Sequence, residues 1–264
     1  ILEEKRNSEI LDVISTPEIS FLLINKPIIY SNLERIAEHY PRSKEFIPLV
    51  QKSVEKHQNI FYLDPLVVLG LIYAESNFDS SAVSIAGAAG LMQIIPETAQ
   101  GLGLKIYEGN LNVYRNLKAS RRNVLNSLNS AIASGRKGNY NEATKYFKEY
   151  HLHLQKANSL FNEYKKTLLE NKDLDERLNP EKSIDAGVEY LALLAKLNRN
   201  TPYFAELRDI IAAYNFGGEG SAVKWTLPTI TEPLNHANKV SEFYRKFKSL
   251  AEKPVLAEAN PLIN

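Results

Sequence analysis

The sequence predicts an all-α protein, and three observations carry that prediction. Apolar residues recur at helical spacing along most of the 264-residue chain. Strand-like alternation is nearly absent. Glycine, the residue of turns and close backbone approach, gathers at 87–90, 101–109 and 217–220.

The elements follow in order. An N-terminal helical segment, 1–58, contains two amphipathic pieces. Ser31–Tyr40 opens on a serine cap, and Phe46–His57 carries Phe46, Ile47, Val50 and Val54 on one stripe. Asp64-Pro65 is a helix start, with an aspartate cap and proline in the first turn. From Leu66 to Ala74 that helix is apolar on every side. A helix with no polar face, and far short of the ~20 residues a bilayer demands, is the central helix of a core.

Residues 112–176 differ in character: tryptophan and proline vanish while lysine, asparagine and glutamate rise. Ala143, Tyr150, Ala157 and Tyr164 recur every seven residues, with Phe147, Leu154, Phe161 and Leu168 between them. A looser stripe, Leu117, Val124, Leu128 and Ala131, precedes a turn at Gly135–Asn139. The pattern predicts an antiparallel helical hairpin packed through these seams. It serves either as a spacer or as an arm that binds a partner. Helical pattern resumes at Glu181–Leu197, at Phe204–Ala213 and at Val240–Leu250, before a tail at 251–264.

Composition excludes several functions. A net charge of +1 offers no general attraction for nucleic acid or an anionic membrane. The absence of cysteine removes disulfides, thiolate metal sites and thiol nucleophiles together. The five histidines are scattered; His151 and His153, two apart, point in different directions on a helix. No metal and no cofactor is expected. The chain begins at Ile1 rather than methionine, as expected of a processed or a trimmed form in which any export signal is out of view.

One residue interrupts the apolar helix. Glu75 follows Leu71, Ile72, Tyr73 and Ala74 directly. Desolvation favours a carboxyl group's neutral form, and such an acid can donate its proton to a poor leaving group. The residues alone leave a second reading open, a carboxylate that caps or pairs within the core. The run Ala86-Gly87-Ala88-Ala89-Gly90 is equally two-sided: it either lets a long ligand approach the backbone or forms a tight turn against the core.

The wider pattern narrows these choices. Glu75-Ser76-Asn77-Phe78, Ala82-Val83-Ser84, Gly87-Ala88-Ala89-Gly90-Leu91-Met92-Gln93 and Pro96-Glu97-Thr98-Ala99 together resemble the catalytic motif of the soluble-type lytic transglycosylases, which cleave peptidoglycan glycan strands on a lysozyme-like fold. Ala212-Ala213-Tyr214-Asn215-Phe216-Gly217 is similar to a second block of that family, with Phe216 in place of a small residue. Leu178-Asn179-Pro180 and Gly187–Leu191 resemble the helix before it. In a last block Pro228, Glu232 and Val240 agree, while Pro233 and His236 replace the family's threonine and tyrosine.

The resemblance implies a lysozyme-like catalytic domain formed by 59–111 and 177–250, with 112–176 inserted. It implies one catalytic residue, Glu75, which acts as acid and then as base. Ser76, Gly90, Met92, Gln93, Tyr214, Asn215 and Glu232 become candidate substrate-binding residues, with Met92 against a sugar face. Trp225 either lines the glycan groove or packs. The expected partners are peptidoglycan glycan strands, with an envelope protein at the hairpin; the expected state is a monomer, in the periplasm or envelope of a bacterium. The alternatives are a muramidase, which uses water on the same bond, and a non-catalytic glycan-binding or assembly protein.

Overall fold

The computed structural model describes residues 30, 32–198, 207–216 and 231–252. The serine cap at Ser31, the region around Trp225 and Pro228, and most of the two termini lie outside the described residues. Those described form nine α-helices: α1 (Glu34–His39), α2 (Ile47–His57), α3 (Pro65–Ser76), α4 (Pro96–Gly101), α5 (Glu108–Arg136), α6 (Tyr140–Glu170), α7 (Pro180–Asn198), α8 (Leu207–Phe216) and α9 (Thr231–Glu252). No sheet is present among them; Val83–Ala89 and Ala89–Ile94 are isolated antiparallel bridges. The all-α reading is correct.

The chain divides into two compact units, Ile1–Ala74 with Gly187–Asn264, and Glu75–Ala186. The first is built around α3. Leu66, Val67, Val68, Leu69, Leu71 and Ile72 are each at most 1% exposed, as a helix without a polar face requires. Full burial of each such side chain is worth about 1.5–3 kcal/mol. Gly70 permits close packing: a Cβ there would stand 3.2 Å from the Val240 carbonyl of α9. Helix α9 also packs on α1 and α8. It begins at Thr231, nine residues before the expected start at Val240. Pro233 stands in its first turn, where backbone N–H groups have no helical partner, so proline starts this helix rather than delaying it.

Asp64 caps α3 as expected and does more. Its Oδ1 accepts the Leu66 N–H at 2.8 Å, while Oδ2 accepts the hydroxyls of Tyr30 at 2.7 Å and Tyr244 at 3.3 Å. Burial pushes its carboxyl above the ordinary range, against the lowering effect of these bonds. A raised folded-state value means folding favours the protonated form. That contribution is complete at the acid side of the ordinary carboxylate range and is lost as pH rises through the raised value. Asp64→Ala should therefore cost about 1–3 kcal/mol from the lost cap and two stranded hydroxyls. In thermal melts its deficit against the parent should be larger at acidic pH than at neutral pH; a deficit that grows toward neutral pH contradicts this assignment.

The second unit contains the hairpin. Helices α5 and α6 pack antiparallel along their lengths. The turn is tighter than expected: Gly135 stays inside α5, and Gly138, with φ 77°, makes the reversal. Asn139 caps α6 by accepting the Glu142 N–H, and the Glu142 carboxylate accepts from Asn139 Nδ2 and Ser134 Oγ, a reciprocal cap. Ala143, Ala157, Tyr164, Leu168, Leu117 and Ala131 are buried, as the seam predicts. Phe147 is 43% exposed, because two helices enclose only the line between them.

Candidate active site

Glu75 and Ser76 occupy the last turn of α3. Glu75 is half-buried and Ser76 is buried. The segment that follows, Asn77–Ile95, has no regular structure, yet it is closely tied. Gly90 donates its N–H to the Ala82 carbonyl at 2.9 Å, and Ala89 and Ile94 exchange backbone hydrogen bonds at 3.1 and 3.2 Å. Ser84 Oγ accepts the N–H groups of Ala86 and Ala88. Asp79, the other carboxylate near Glu75 in the chain, accepts the Ser81 N–H and hydroxyl and closes a local turn.

Backbone strain concentrates in this segment. Every non-glycine residue with positive φ among the described residues lies in it: Asn77 at 52°, Phe78 at 57° and Gln93 at 47°. Asparagine tolerates this region, but for phenylalanine and glutamine it costs on the order of 1–3 kcal/mol each. The surroundings hold them there. Phe78 is buried, and Gln93 Nε2 donates to the carbonyls of Gly90 at 2.9 Å and Ala82 at 3.0 Å. Such strain gathers at active sites and ligand clamps.

Beneath the loop lies a buried cation that sequence reading missed. Arg177 is 0% exposed, and all five of its N–H donors are used. Nε and Nη2 grip the Asp175 carboxylate, each at 2.8 Å. Nη2 also donates to the Tyr164 hydroxyl, and Nη1 to the carbonyls of Gly87 at 3.1 Å and Ile94 at 3.3 Å. Tyr164 donates in turn to the Gly87 carbonyl at 2.9 Å. The guanidinium thus pins the loop at Gly87, within the small-residue run, and at Ile94 beyond it. Burial holds the Tyr164 hydroxyl above its ordinary value, so it remains a donor.

The two glycines face this support. A Cβ on Gly90, at φ 79°, would overlap the Arg177 carbonyl, and one on Gly87, at φ 85°, would enter the Tyr114 ring. The close approach for which the run is built is therefore to the chain itself, which resolves the open choice toward a tight turn. Met92 is 0% exposed, and its N–H meets Ser183 Oγ at 3.4 Å. Glu97 fastens the next helix: it accepts the Tyr114 hydroxyl at 2.7 Å and Lys118 Nζ at 2.6 Å.

The structure thus brings Ser76, Gly90, Met92 and Gln93 into one unit with Glu75. Tyr214 and Asn215 end α8 in the other unit; Tyr214 is buried with its ring 5.2 Å from that of Tyr190, and Asn215 is exposed. Glu232 is the second residue of α9 in that unit.

Comparison with known proteins supplies context. The family model described as "Transglycosylase SLT domain" matches residues 52–146 and 154–229. Proteins named membrane-bound lytic murein transglycosylase C are similar over shorter stretches. That of Histophilus somni (strain 2336) is 32% identical over 80 residues, 30% of this chain and 21% of the relative. That of Actinobacillus pleuropneumoniae serotype 5b (strain L20) is 35% identical over 75 residues, covering 28% and 20%. The Haemophilus influenzae (strain PittEE) protein is 34% identical over 71 residues, covering 26% and 19%. The similarity therefore spans about a fifth of these relatives' length. No solved structure matches the chain.

Proposed function

The chain belongs to the transglycosylase SLT domain family, and on that premise we propose that it is a peptidoglycan lytic transglycosylase with Glu75 as its catalytic residue. The observation that carries the assignment is local: Glu75 ends the apolar core helix, and the strained, pinned loop follows it directly.

In the proposed reaction the Glu75 carboxyl group donates its proton to the oxygen that joins N-acetylmuramic acid to N-acetylglucosamine. The bond from muramyl C1 to that oxygen breaks, and the sugar's own N-acetyl oxygen relieves the charge at C1. The muramyl C6 hydroxyl then attacks C1 and displaces the N-acetyl oxygen, while the Glu75 carboxylate takes the hydroxyl proton. A 1,6-anhydro ring results and no water is consumed. One residue performs both transfers, unlike the paired carboxylates of most glycoside hydrolases. Ser76 and Gln93 orient Glu75 or hydrogen-bond the glycan, and Tyr214, Asn215 and Glu232 remain candidate glycan-binding residues on the family pattern. Gly90 and Met92 act by shaping the loop.

The substrate places the protein in a bacterial envelope. No described helix is long and apolar enough to cross a membrane. Mass spectrometry of digested peptidoglycan separates the readings: 1,6-anhydromuramyl ends are expected. Ordinary reducing ends would make the protein a muramidase, and intact glycan with retained binding a non-catalytic binder.

A further inference from the structure

A groove of about 600 Å³ runs between the pinned loop and the hairpin, within the second unit. Ile85 and Ile95 form one wall, and Leu125, Leu154 and Phe161 contribute from α5 and α6. Two of these side chains are open to solvent: Ile85 is 63% exposed and Leu125 60%. Three cations line the same groove, Lys118, Arg121 and Arg122, and no aspartate or glutamate does among the described residues. Lys118 is engaged by Glu97. Arg121 and Arg122 have no ion-pair partner among the described residues.

We propose that this groove docks an acidic amphipathic segment of a partner protein, whose apolar side chains fill the floor and whose carboxylates meet Arg121 and Arg122. Charge complementarity selects the occupant: with a whole-chain charge of only +1, this cationic rim is a local feature. Shape selects it further. Leu117–Leu125 of α5 offers about 12 Å of ridge, the length of roughly two helical turns, facing a parallel ridge on α6. Such a trough accepts the apolar stripe of a helix. A flat membrane surface does not enter a walled groove.

The test uses the full chain and fluorescence anisotropy, so it does not depend on glycan cleavage. Three labelled probes are compared: a peptide with helical Glu/Leu patterning, its Lys/Leu counterpart and a Glu/Ser version. The Glu/Leu peptide is expected to bind at least about tenfold tighter than either control. Arg121→Glu with Arg122→Glu, and separately Leu125→Ser, should each remove about tenfold or more of that affinity. Glycan release and the melting temperature should be unchanged, since these side chains lie at the surface. Equal binding of the Lys/Leu peptide, or affinity indifferent to these substitutions, overturns the proposal. Binding to phosphatidylglycerol vesicles in place of the peptide, lost in the same variants, makes the groove a lipid site. Displacement of the peptide by a disaccharide-tetrapeptide muropeptide makes it a substrate subsite; either result also overturns the proposal.

Discussion

The Glu75→Gln variant is expected to lose glycan release by about 10²–10⁴-fold while it melts at the temperature of the parent. Glutamine keeps the size and hydrogen-bonding reach of the side chain, but it has no proton to give and cannot take one. Both proton transfers of the proposed reaction fail together, so the loss should lie toward the upper end of that range and should appear in kcat. A purely structural carboxylate would behave differently. If Glu75 served only to cap or pair within the core, the substitution would lower the melting temperature and leave turnover per folded molecule near the parent value. Quantifying released anhydromuropeptides beside a thermal melt separates these outcomes.

Removal of the loop's buried support should have the largest effect on stability. Arg177→Met fills a similar volume but leaves the Asp175 carboxylate buried without its cation, and it removes one of the two donors to the Ile94 carbonyl. Breaking one side of a buried pair costs about 3–5 kcal/mol. For a protein of this size such a loss lowers the melting temperature by roughly 10 °C. Local opening should be larger still at Gly87–Ile94, where hydrogen exchange is expected to accelerate first, because both ends of that run hang on this guanidinium. Asp175→Asn combined with Arg177→Met should recover part of the loss, since the unpaired charge is then gone. A cost below about 1 kcal/mol for Arg177→Met would show that the pair contributes no more than an exposed one.

Much of the fold was legible because its determinants are local. The capped core helix and the heptad hairpin each rest on residues a few positions apart, and helical hydrogen bonds span four. The same holds for Glu75, whose place after an apolar run is visible in the order of residues. The start of α9 was missed because Pro233 reads as a breaker and a starter alike, and its location in a first turn decides between them. The hairpin seam was read correctly at Ala143 and Tyr164 but not at Phe147, where periodicity specifies a face without specifying what covers it.

By itself, then, the sequence determined the helices, their caps, the isolated acid and the small-residue run after it. Tertiary structure alone decided what that run is for. Gly87 and Gly90 are glycines because Tyr114 and the Arg177 carbonyl occupy the space where a side chain would stand, and Met92 is enclosed by the same fold. Arg177 gave no sign in the sequence, where it is one of three consecutive charged residues, Asp175-Glu176-Arg177. Its acceptors at Gly87 and Ile94 lie 90 and 83 positions away. No local pattern encodes a contact at that separation; it exists only once the helices have packed and desolvated the charge.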